Sequence, residues 1–238
     1  VNIDGFKGGD RTNIELPSVQ RNFLQALHNA GKTVVYVNCS GSAIALEPET
    51  KNCDAIVQAW YAGQEGGTAV ADVLFGDYNP SGKLPVTFYK STKQLPDFED
   101  YSMKGRTYRY FSDPLFAFGY GESYTKFNIG KAELENEGDS ILMKIPVENV
   151  GAKEGTEILQ VYIHDMQDEN GPIKSLRGFC RVNLKAGQKQ VAKIYLNKKS
   201  FEFFDETTNT MRTRNGSFEI MYGSSSLDND LQKEMIKF

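Results

Sequence analysis

The sequence of 238 residues is poor in the residue types that most often hold transition metals, with three cysteines and two histidines. The cysteines are odd in number and follow no metal-ligand spacing, so we expect neither a zinc site nor a cysteine–histidine catalytic pair, and no cofactor. We interpret Cys39, Cys53 and Cys180 as small buried hydrophobic side chains. They leave the redox compartment of the protein open.

Long apolar runs and an excess of positive charge are also missing. No apolar run approaches the length of a membrane-spanning helix, and the first residues lack the layout of a signal peptide. The formal net charge of −4 argues against a nucleic-acid-binding protein, which normally carries a basic face. The composition, 39% hydrophobic and 24% charged, is that of a soluble globular protein. The sequence begins with Val1 rather than an initiator methionine, and its first residues enter in the middle of a sequence pattern. We therefore interpret the chain as a portion of a longer polypeptide.

The stretch 54–89 predicts a strand, a glycine-rich loop, a helix, a turn and a second strand. Asp54–Tyr61 has an unbroken apolar core, as expected for a strand that is covered on both faces. The loop around Gly66 allows a sharp turn, and the helix that follows ends at Gly76. Leu84–Tyr89 is extended again, and it completes a βαβ unit.

Two further elements precede this unit. Pro17 suits the first turn of a helix that Gly31 ends. The β-branched run Thr33–Cys39 predicts a central strand. Helix–strand repeats that lead into a βαβ unit imply parallel strands with right-handed crossovers. The apolar spacing in the helix predicts a buried stripe of Val19, Phe23, Ala26, Leu27 and Ala30.

The segment Ser91–Phe111 has little regular periodicity. Within it, Arg106–Phe111 interleaves arginine with tyrosine, which could stack on nucleic-acid bases or on sugar rings. A single short aromatic stripe on an acidic protein is weak support for such a role. We therefore favour an extended connector whose aromatic side chains pack between two domains, and we interpret Leu115–Thr125 as part of it.

Beyond Phe127 apolar residues recur at every second position, which predicts β-strands. Turn clusters separate about seven such segments, enough for an immunoglobulin-like sandwich. The Cys…Trp…Cys pattern of true immunoglobulin domains is absent, so a fibronectin type III-like sandwich fits better. Pro146 would suit an edge strand, and the charged tail Leu227–Phe238 suggests a short helix.

Three kinds of functional site compete in this sequence. Gly63–Gly67 precedes a helix and could hold a phosphate, as in a flavodoxin-like nucleotide binder. It matches neither the Walker loop nor the dinucleotide fingerprint, and Glu65 places a negative charge at its mouth. If the sandwich is a binding module, exposed tyrosines such as Tyr162 and Tyr222 could contact sugars or proteins.

Carboxylate catalysis is the third possibility. Retaining glycoside hydrolysis needs two carboxyl groups about 5–5.5 Å apart, one of them with a raised pKa. The sequence pattern pairs no two candidates across a pocket, so a structural role is favoured for each of them. The adjacent Asp10 and Arg11 are interpreted as an ion pair that fixes a loop. The candidate carboxylates are Asp10, Glu15, Glu65, Asp72 and Asp77.

Several longer motifs follow one another in the chain: GGDRTNIELPSVQ, AWYAGQEGGTAVADVLFGDYNPSGKLPVTFY, KGRTYRYF, PLFAFGYGESYTKF, SLRGFCRVNLKAGQ and NGSFEIMYG. In this order they resemble the C-terminal half of glycoside hydrolase family 3 enzymes over essentially the whole chain. WYAGQEGG, TFY and GRTYRYF are most similar to the β-xylosidase branch, where α-L-arabinofuranosidase activity also occurs, although β-glucosidases share much of this framework. Glu122 and Ala62 depart from the family pattern, in which leucine and proline are usual.

The resemblance implies an architecture and a mechanism. A parallel α/β sandwich domain, truncated at its N-terminus, occupies residues 1–121, and a fibronectin type III-like β-sandwich occupies residues 122–238. Both follow a barrel domain that carries the nucleophilic aspartate. The acid/base glutamate is expected just upstream of Val1, so no catalytic residue is assigned to this chain. Asp10 and Arg11 are assigned to the support of the acid/base loop.

The function so implied is that of the C-terminal part of a retaining, exo-acting β-glycosidase that hydrolyses O-glycosyl bonds of oligosaccharides. The substrate is reached through the missing barrel domain, the compartment is the periplasm or the exterior, and neither membrane nor nucleic acid is a partner. Taken alone, the chain is expected to be inactive. The alternatives are a β-glucosidase of the same family and a non-catalytic carbohydrate-binding or interaction module.

Overall fold

The structure, a computed structural model, describes residues 6–7 and 10–237, with the backbone alone described for residues 6, 7 and 10. An N-terminal α/β part precedes a C-terminal part built of strands, so the predicted fold class is confirmed. The elements of the first part are β1 Phe6–Lys7, β2 Asp10–Arg11, α1 Ser18–Asn29, β3 Val35–Asn38, α2 Glu49–Asn52, β4 Ala55–Gln58, α3 Gly66–Phe75 and α4 Thr107–Tyr110.

Helix α1 begins and ends where the sequence predicts. The N–H groups of Gln20 and Arg21 donate to the carbonyl of Pro17, and Gly31 follows the helix with a φ of +67°. The predicted buried stripe is right for Leu27, which packs against the small core, and wrong for its other four members, because Leu24 turns toward the core in their place. Val19 is 79% exposed and Phe23 is 63% exposed. None of the described helices is both long and apolar enough to span a membrane.

Strands β3 and β4 pair in parallel, with Val35 opposite Ala55 and Asn38 opposite Gln58. One face of this pair carries Tyr36 and Ile56, which pack with α1 on a small core. Ala55 is exposed, and the rest of β4 is half-buried. The prediction that this strand is covered on both faces is therefore wrong within the described residues. The buried members of the small core are Leu16, Leu24, Val34, Ile44 and Leu46.

The segment Leu84–Tyr89 does not form the second strand of a βαβ unit, and that prediction is wrong. It runs antiparallel to the connector and makes one isolated bridge, between Phe88 and Phe116. The N–H of Leu84 donates to Tyr120 O over 2.8 Å, and the N–H of Phe88 donates to Phe116 O over 2.9 Å. Its backbone partner is thus the downstream connector rather than β4.

The C-terminal part is a sandwich of two antiparallel sheets. One has the strand order β10-β7-β5, with β6 also paired to β7, and the other has the order β14-β13-β8-β9. Fully buried side chains such as Met143, Ile145, Leu159 and Ile220 fill the space between them. The strands are β5 Phe127–Ile129, β6 Glu133–Glu137, β7 Ser140–Asn149, β8 Gly155–Asp165, β9 Ser175–Leu184, β10 Lys189–Asn197, β11 Glu202–Asp205, β12 Thr210–Thr213, β13 Ser217–Gly223 and β14 Leu231–Lys237.

Two details of the sandwich contradict the sequence prediction. Pro146 lies in the central strand β7 rather than at an edge, with Val191 of β10 opposite it. Its carbonyl accepts from Gly130 N–H, on the side where β5 has ended and β6 has not begun. Because proline has no N–H, the reciprocal bond to Gly130 O is not made, and the regular pairing of β5 with β7 ends at Ile129. The tail forms a 3₁₀ turn and the edge strand β14 instead of a short α-helix.

The connector packs between the two parts, as the sequence predicts, but it is not extended throughout, because Thr107–Tyr110 form α4. The ring of Tyr108 stacks on Phe118 with 4.3 Å between centroids and meets Tyr162 edge-on at 5.7 Å. Its hydroxyl accepts a hydrogen bond from the N–H of Leu176, the second residue of β9. Phe118 covers one face of the Tyr108 ring, so that face is not available to a sugar or a base.

Tyr162 and Tyr222 are fully buried, so the prediction that they are exposed is wrong. The hydroxyl of Tyr162 donates to Gln160 beneath the connector. The hydroxyl of Tyr222 accepts from Ala132 N–H and donates to Gln232. The alternating pattern of β8 suggested a solvent-facing side, but the connector covers that side.

Candidate functional site

The described surface has a groove at the carboxyl ends of β3 and β4, with a volume of about 690 Å³. Ligands of open α/β sheets bind at this edge of the strands. The groove runs between the loop that leads into α1, the first turns of α1 and the loop that follows β3. We call it the carboxyl-edge groove. Its side chains include Arg11, Glu15, Asn38, Ser40 and Tyr61.

A buried polar network fixes the floor of the carboxyl-edge groove. Tyr36 donates its hydroxyl proton to Asn38 Oδ1 over 2.9 Å. The amide of Asn38 donates to Gln58 Oε1 over 2.6 Å and to Ser40 Oγ over 3.0 Å. Ser40 Oγ in turn donates to the carbonyl of Ser42. Because the ends of both strands and the loop after β3 share this network, the loop is held in one position.

The loop after β4 is held by an unusual backbone conformation. Trp60 has a φ of +57°, which is rare for a large side chain and costs on the order of 1–3 kcal/mol. Its indole packs edge-on against Phe88, at 6.2 Å between centroids. The next residue, Tyr61, is 78% exposed, and its ring lies 2.8 Å from where a Cβ on Gly41 would be. A Cβ at position 41 would therefore require the Tyr61 ring to shift.

Glu15 is the one acidic residue among the described residues that line the carboxyl-edge groove. Its carboxylate accepts from the hydroxyl of Thr92 over 2.6 Å and from the N–H of Thr92 over 2.8 Å. Burial opposes ionisation of this group, but the two hydrogen bonds outweigh burial and lower the pKa of Glu15. A general acid needs a raised pKa, so Glu15 is poorly suited to that role.

Thr92→Val should raise the pKa of Glu15 toward its ordinary value, because the hydroxyl donor is lost. The pKa in the folded protein is lowered, so the stabilisation by Glu15 is present above the unfolded pKa and is lost as the pH falls through the folded pKa. Stability of the variant should therefore depend less on pH in the acidic range. An NMR titration of the Glu15 side-chain carboxyl measures the change. Thr92→Ser keeps the hydroxyl and should leave this pKa low, and an equal pKa in both variants would contradict the assignment.

A second carboxylate, beside the groove, is held in an ion pair between two helices. Glu49 is completely buried, and Arg21 of α1 donates to both of its oxygens, over 2.7 Å and 3.4 Å. This two-pronged pair joins α1 to α2. Loss of Arg21 would leave the charge of Glu49 without compensation in a buried position.

The other carboxylates considered in the sequence lie away from the groove. Glu65 stands at the N-terminus of α3 and accepts from the hydroxyl of Thr68, which disfavours a phosphate at that helix end. Asp72 lies within α3 and Asp77 follows it. The side chain of Asp10 is outside the described residues, so its ion pair with Arg11 stays a prediction. Arg11 itself lines the groove and donates to Glu15 O over 3.1 Å.

The cysteines occupy three different environments. Cys53 and Cys180 are half-buried against the two cores, whereas Cys39 is exposed and lines the carboxyl-edge groove. The interpretation of all three as buried is wrong for Cys39, because β3 ends one residue before it. Within the described ranges, no group of three or more histidine, cysteine or acidic side chains could hold a metal ion.

The sequence analysis does not predict the polar network of Asn38, Ser40 and Gln58. A signal was available, since Asn38 and Gln58 each end an apolar strand-forming run, VVYVN and AIVQ. Parallel pairing brings such strand ends to the same edge of a sheet. The contact of Gly41 with the ring of Tyr61 has no comparable signal in the sequence, because Tyr61 lies twenty residues further along the chain.

Comparison with known proteins identifies both parts of the chain. Residues 2–124 match the family described as glycosyl hydrolase family 3 C-terminal domain, and residues 157–226 match the fibronectin type III-like domain. A xylan 1,4-beta-xylosidase from Xylanibacter ruminicola is 67% identical over 235 residues, covering 98% of this chain and 27% of that protein.

More distant proteins share the same arrangement. A periplasmic beta-glucosidase from Salmonella typhimurium is 34% identical over 248 residues, covering 90% of this chain and 32% of that protein. The crystal structure of a beta-glucosidase from Streptomyces venezuelae in complex with D-glucose superposes with a TM-score of 0.88 at 29% identity, covering 98% of this chain and 32% of that one. The chain thus spans about a third or less of the length of each of these proteins.

Proposed function

Because this chain belongs to glycosyl hydrolase family 3, we propose that it is the C-terminal portion of a retaining, exo-acting β-glycosidase of the β-xylosidase type. The observation that carries the proposal is the 67% identity to a xylan 1,4-beta-xylosidase over 98% of the chain. The substrates we infer are oligosaccharides with terminal β-linked xylose, and α-L-arabinofuranosides are candidate second substrates.

In this proposal the chain lines part of the active site but does not supply the two carboxyl groups that react. A retaining mechanism needs a nucleophilic carboxylate and a second carboxyl that acts as acid and then as base. Among the described residues, the carboxyl-edge groove offers a single acid, Glu15, whose lowered pKa favours the ionised form. Both reacting groups are therefore assigned to the upstream polypeptide, with the nucleophile on a barrel domain.

Arg11 and Asp10 are proposed to hold the acid/base loop in place. Arg11 supports this role because it lines the carboxyl-edge groove and is tied through Glu15 O to the loop that leads into α1. We also propose that the α/β domain extends over residues 1–121 and the fibronectin type III-like domain over residues 122–238, with the first strand of the sandwich at Phe127. The name of the Salmonella relative supports a periplasmic or secreted enzyme.

The specificity of the full-length enzyme tests the proposal. Its kcat/KM for nitrophenyl β-D-xyloside should exceed that for the β-D-glucoside by about tenfold or more, which corresponds to about 1.4 kcal/mol of transition-state binding. The α-L-arabinofuranoside is the third substrate in the series. Measurable turnover with no preference for the xyloside would contradict the assignment to the β-xylosidase type.

A β-glucosidase is the second candidate, favoured by the number of relatives and solved structures with that name. It predicts the reverse order of kcat/KM in the same assay. A non-catalytic module would instead give no turnover of any of these substrates, together with calorimetric binding of xylo-oligosaccharides.

A further inference from the structure

The ring of Tyr61 stands open at the carboxyl-edge groove. Tyr61 lines the groove and is 78% exposed. One side of the ring packs against Gly41, since three ring carbons lie within 3.5 Å of where a Cβ on Gly41 would be. A ring with both faces covered could not keep so much of its surface accessible. At least one face of the Tyr61 ring is therefore open, and its hydroxyl bonds to no other described residue.

The backbone that presents Tyr61 is held in one conformation. The N–H of Ala59 donates to Asn38 O over 2.9 Å, which ties this loop to the end of β3. Trp60 then takes its left-handed φ of +57° and packs edge-on against Phe88, which is 1% exposed. A bulky residue keeps this conformation only where its surroundings enforce it, and such strain is concentrated at functional sites and ligand clamps. The ring of the next residue is thus positioned before any ligand arrives.

The polar groups of the groove suit an uncharged ligand that carries many hydroxyl groups. The charge of Arg21 is neutralised by Glu49, and Arg11 and Glu15 carry opposite charges, so neither sign dominates among the described residues. Amide side chains both donate and accept, as hydroxyl groups require. An aromatic ring beside a few such polar groups is the usual composition of a small-molecule site. The amides in the groove that bond to no other described residue are those of Asn13, Gln20 and Asn22.

A pyranose ring matches the open face of Tyr61. The face of an aromatic ring carries partial negative charge, and it attracts bonds whose hydrogen atoms carry partial positive charge. Every hydroxyl group of β-xylopyranose is equatorial, so both faces of the sugar present axial C–H bonds. Such a face can lie flat on the Tyr61 ring while the equatorial hydroxyl groups reach the amides along the groove.

Arg11 relates the groove to one side of the bond that is cleaved. In the proposed function, Arg11 supports the loop that carries the acid/base glutamate. That glutamate protonates the oxygen of the leaving group, so its loop lies on the leaving-group side of the scissile bond. Arg11 and Tyr61 line the same groove. A sugar that stacks on Tyr61 therefore belongs to the part of the oligosaccharide that departs.

We infer that Tyr61 is a stacking platform for the leaving-group xylose of a xylo-oligosaccharide, and that it gives the enzyme a preference for oligosaccharides over xylosides with small leaving groups. This inference rests on the proposed function and adds to it a residue that determines specificity. Tyr61 binds the sugar through its ring and takes no part in the transfer of a proton or of the glycosyl group.

Two matched substrates of the full-length enzyme test the inference. Xylobiose and methyl β-D-xyloside both release an alcohol, but only xylobiose has a second ring. Tyr61→Ala should lower kcat/KM for xylobiose by about tenfold, which is within the range for one aromatic stacking contact. It should change kcat/KM for methyl β-D-xyloside by less than about twofold. Tyr61→Phe keeps the ring and should retain at least about half of the wild-type kcat/KM for xylobiose.

Tyr195→Ala is the matched control, because Tyr195 is 57% exposed on β10 and does not line the groove. It should change kcat/KM for neither substrate. An unchanged kcat/KM for xylobiose in Tyr61→Ala would overturn the inference, and so would equal losses for the two substrates. A loss in Tyr61→Phe as large as that in Tyr61→Ala would assign the effect to the hydroxyl and would overturn the stacking role.

The outcomes distinguish this inference from the proposed function. A full-length enzyme that prefers xylosides, but in which Tyr61→Ala does not discriminate between the two substrates, overturns the inference and leaves the function standing. A full-length enzyme that prefers glucosides contradicts the β-xylosidase type. Because the inference names xylose as the stacked sugar, that result also overturns it in this form, whereas a selective loss for xylobiose supports both.

Discussion

The 238-residue chain on its own should hydrolyse nitrophenyl β-D-xyloside no faster than a boiled sample of the same protein. Glycosidase catalysis of this type accelerates the reaction by at least about a millionfold, and that acceleration depends on two carboxyl groups acting together. In the part of the chain that the structure describes, the carboxyl-edge groove contains one, Glu15, and the hydrogen bonds from Thr92 keep its pKa low. A steady-state assay at a protein concentration far above that used for the full-length enzyme measures the loss.

Two controls make this result interpretable. Circular dichroism and an NMR amide spectrum should show that the isolated chain is folded, so that inactivity is not caused by unfolding. Glu15→Gln should leave the background rate unchanged, because Glu15 has no chemical role in the proposal. Turnover that survives further purification and disappears in Glu15→Gln would show that the chain carries its own catalytic acid.

Gln160→Leu should lower the free energy of unfolding by about 3–5 kcal/mol, because three polar partners lose their hydrogen bond in a buried place. Gln160 is 3% exposed, on the side of β8 that the connector covers. Its amide donates to Gly119 O over 3.0 Å and to Ser224 O over 2.6 Å, and its Oε1 accepts from the hydroxyl of Tyr162. The connector, β8 and the loop after β13 thus meet at one side chain.

Urea unfolding of the 238-residue chain, followed by circular dichroism, measures this loss. Gln190→Leu is the matched control, since Gln190 is exposed on β10 and its replacement should change stability by no more than about 0.5 kcal/mol. A loss below about 1 kcal/mol for Gln160→Leu, with an unchanged urea dependence, would mean that the buried groups find other partners.

The elements that the sequence predicts correctly are those with strong local signals. Helix α1 has Pro17 before it and Gly31 after it, and these residues fix its ends without reference to the rest of the fold. Strands β7 and β8 alternate over ten residues or more, so their side-chain pattern alone identifies them. The sequence also predicts the packing of Tyr108 between the two domains, because one short aromatic stripe on an acidic protein is weak support for stacking on bases or sugar rings.

The wrong predictions share a different cause, which is that the partner of a segment lies far away in the chain. Leu84–Tyr89 is extended, but its partner is the connector some thirty residues downstream and not β4. Tyr162 has the pattern of a solvent-facing position, and the connector buries it. Phe23 has the pattern of a core position, and within the described residues no element covers it.

The candidate site was the least predictable part. Arg11 and Glu15 were recognised as candidates, but their shared groove depends on how the loop before α1 folds back over the end of β3. The network of Asn38 and Gln58 needs the parallel pairing of two strands that are twenty residues apart. The pKa of Glu15 depends on Thr92, which is seventy-seven residues away in sequence.

Pro146 limits the registers in which β6 can pair with β7. If β6 slipped two residues along β7 toward Val147, one of its carbonyls would face position 146, where there is no N–H to donate. A slip of one residue would turn Leu134 away from the interior. The proline therefore penalises sliding of β6 toward Val147, and it favours a single alignment of the two strands while the sandwich assembles.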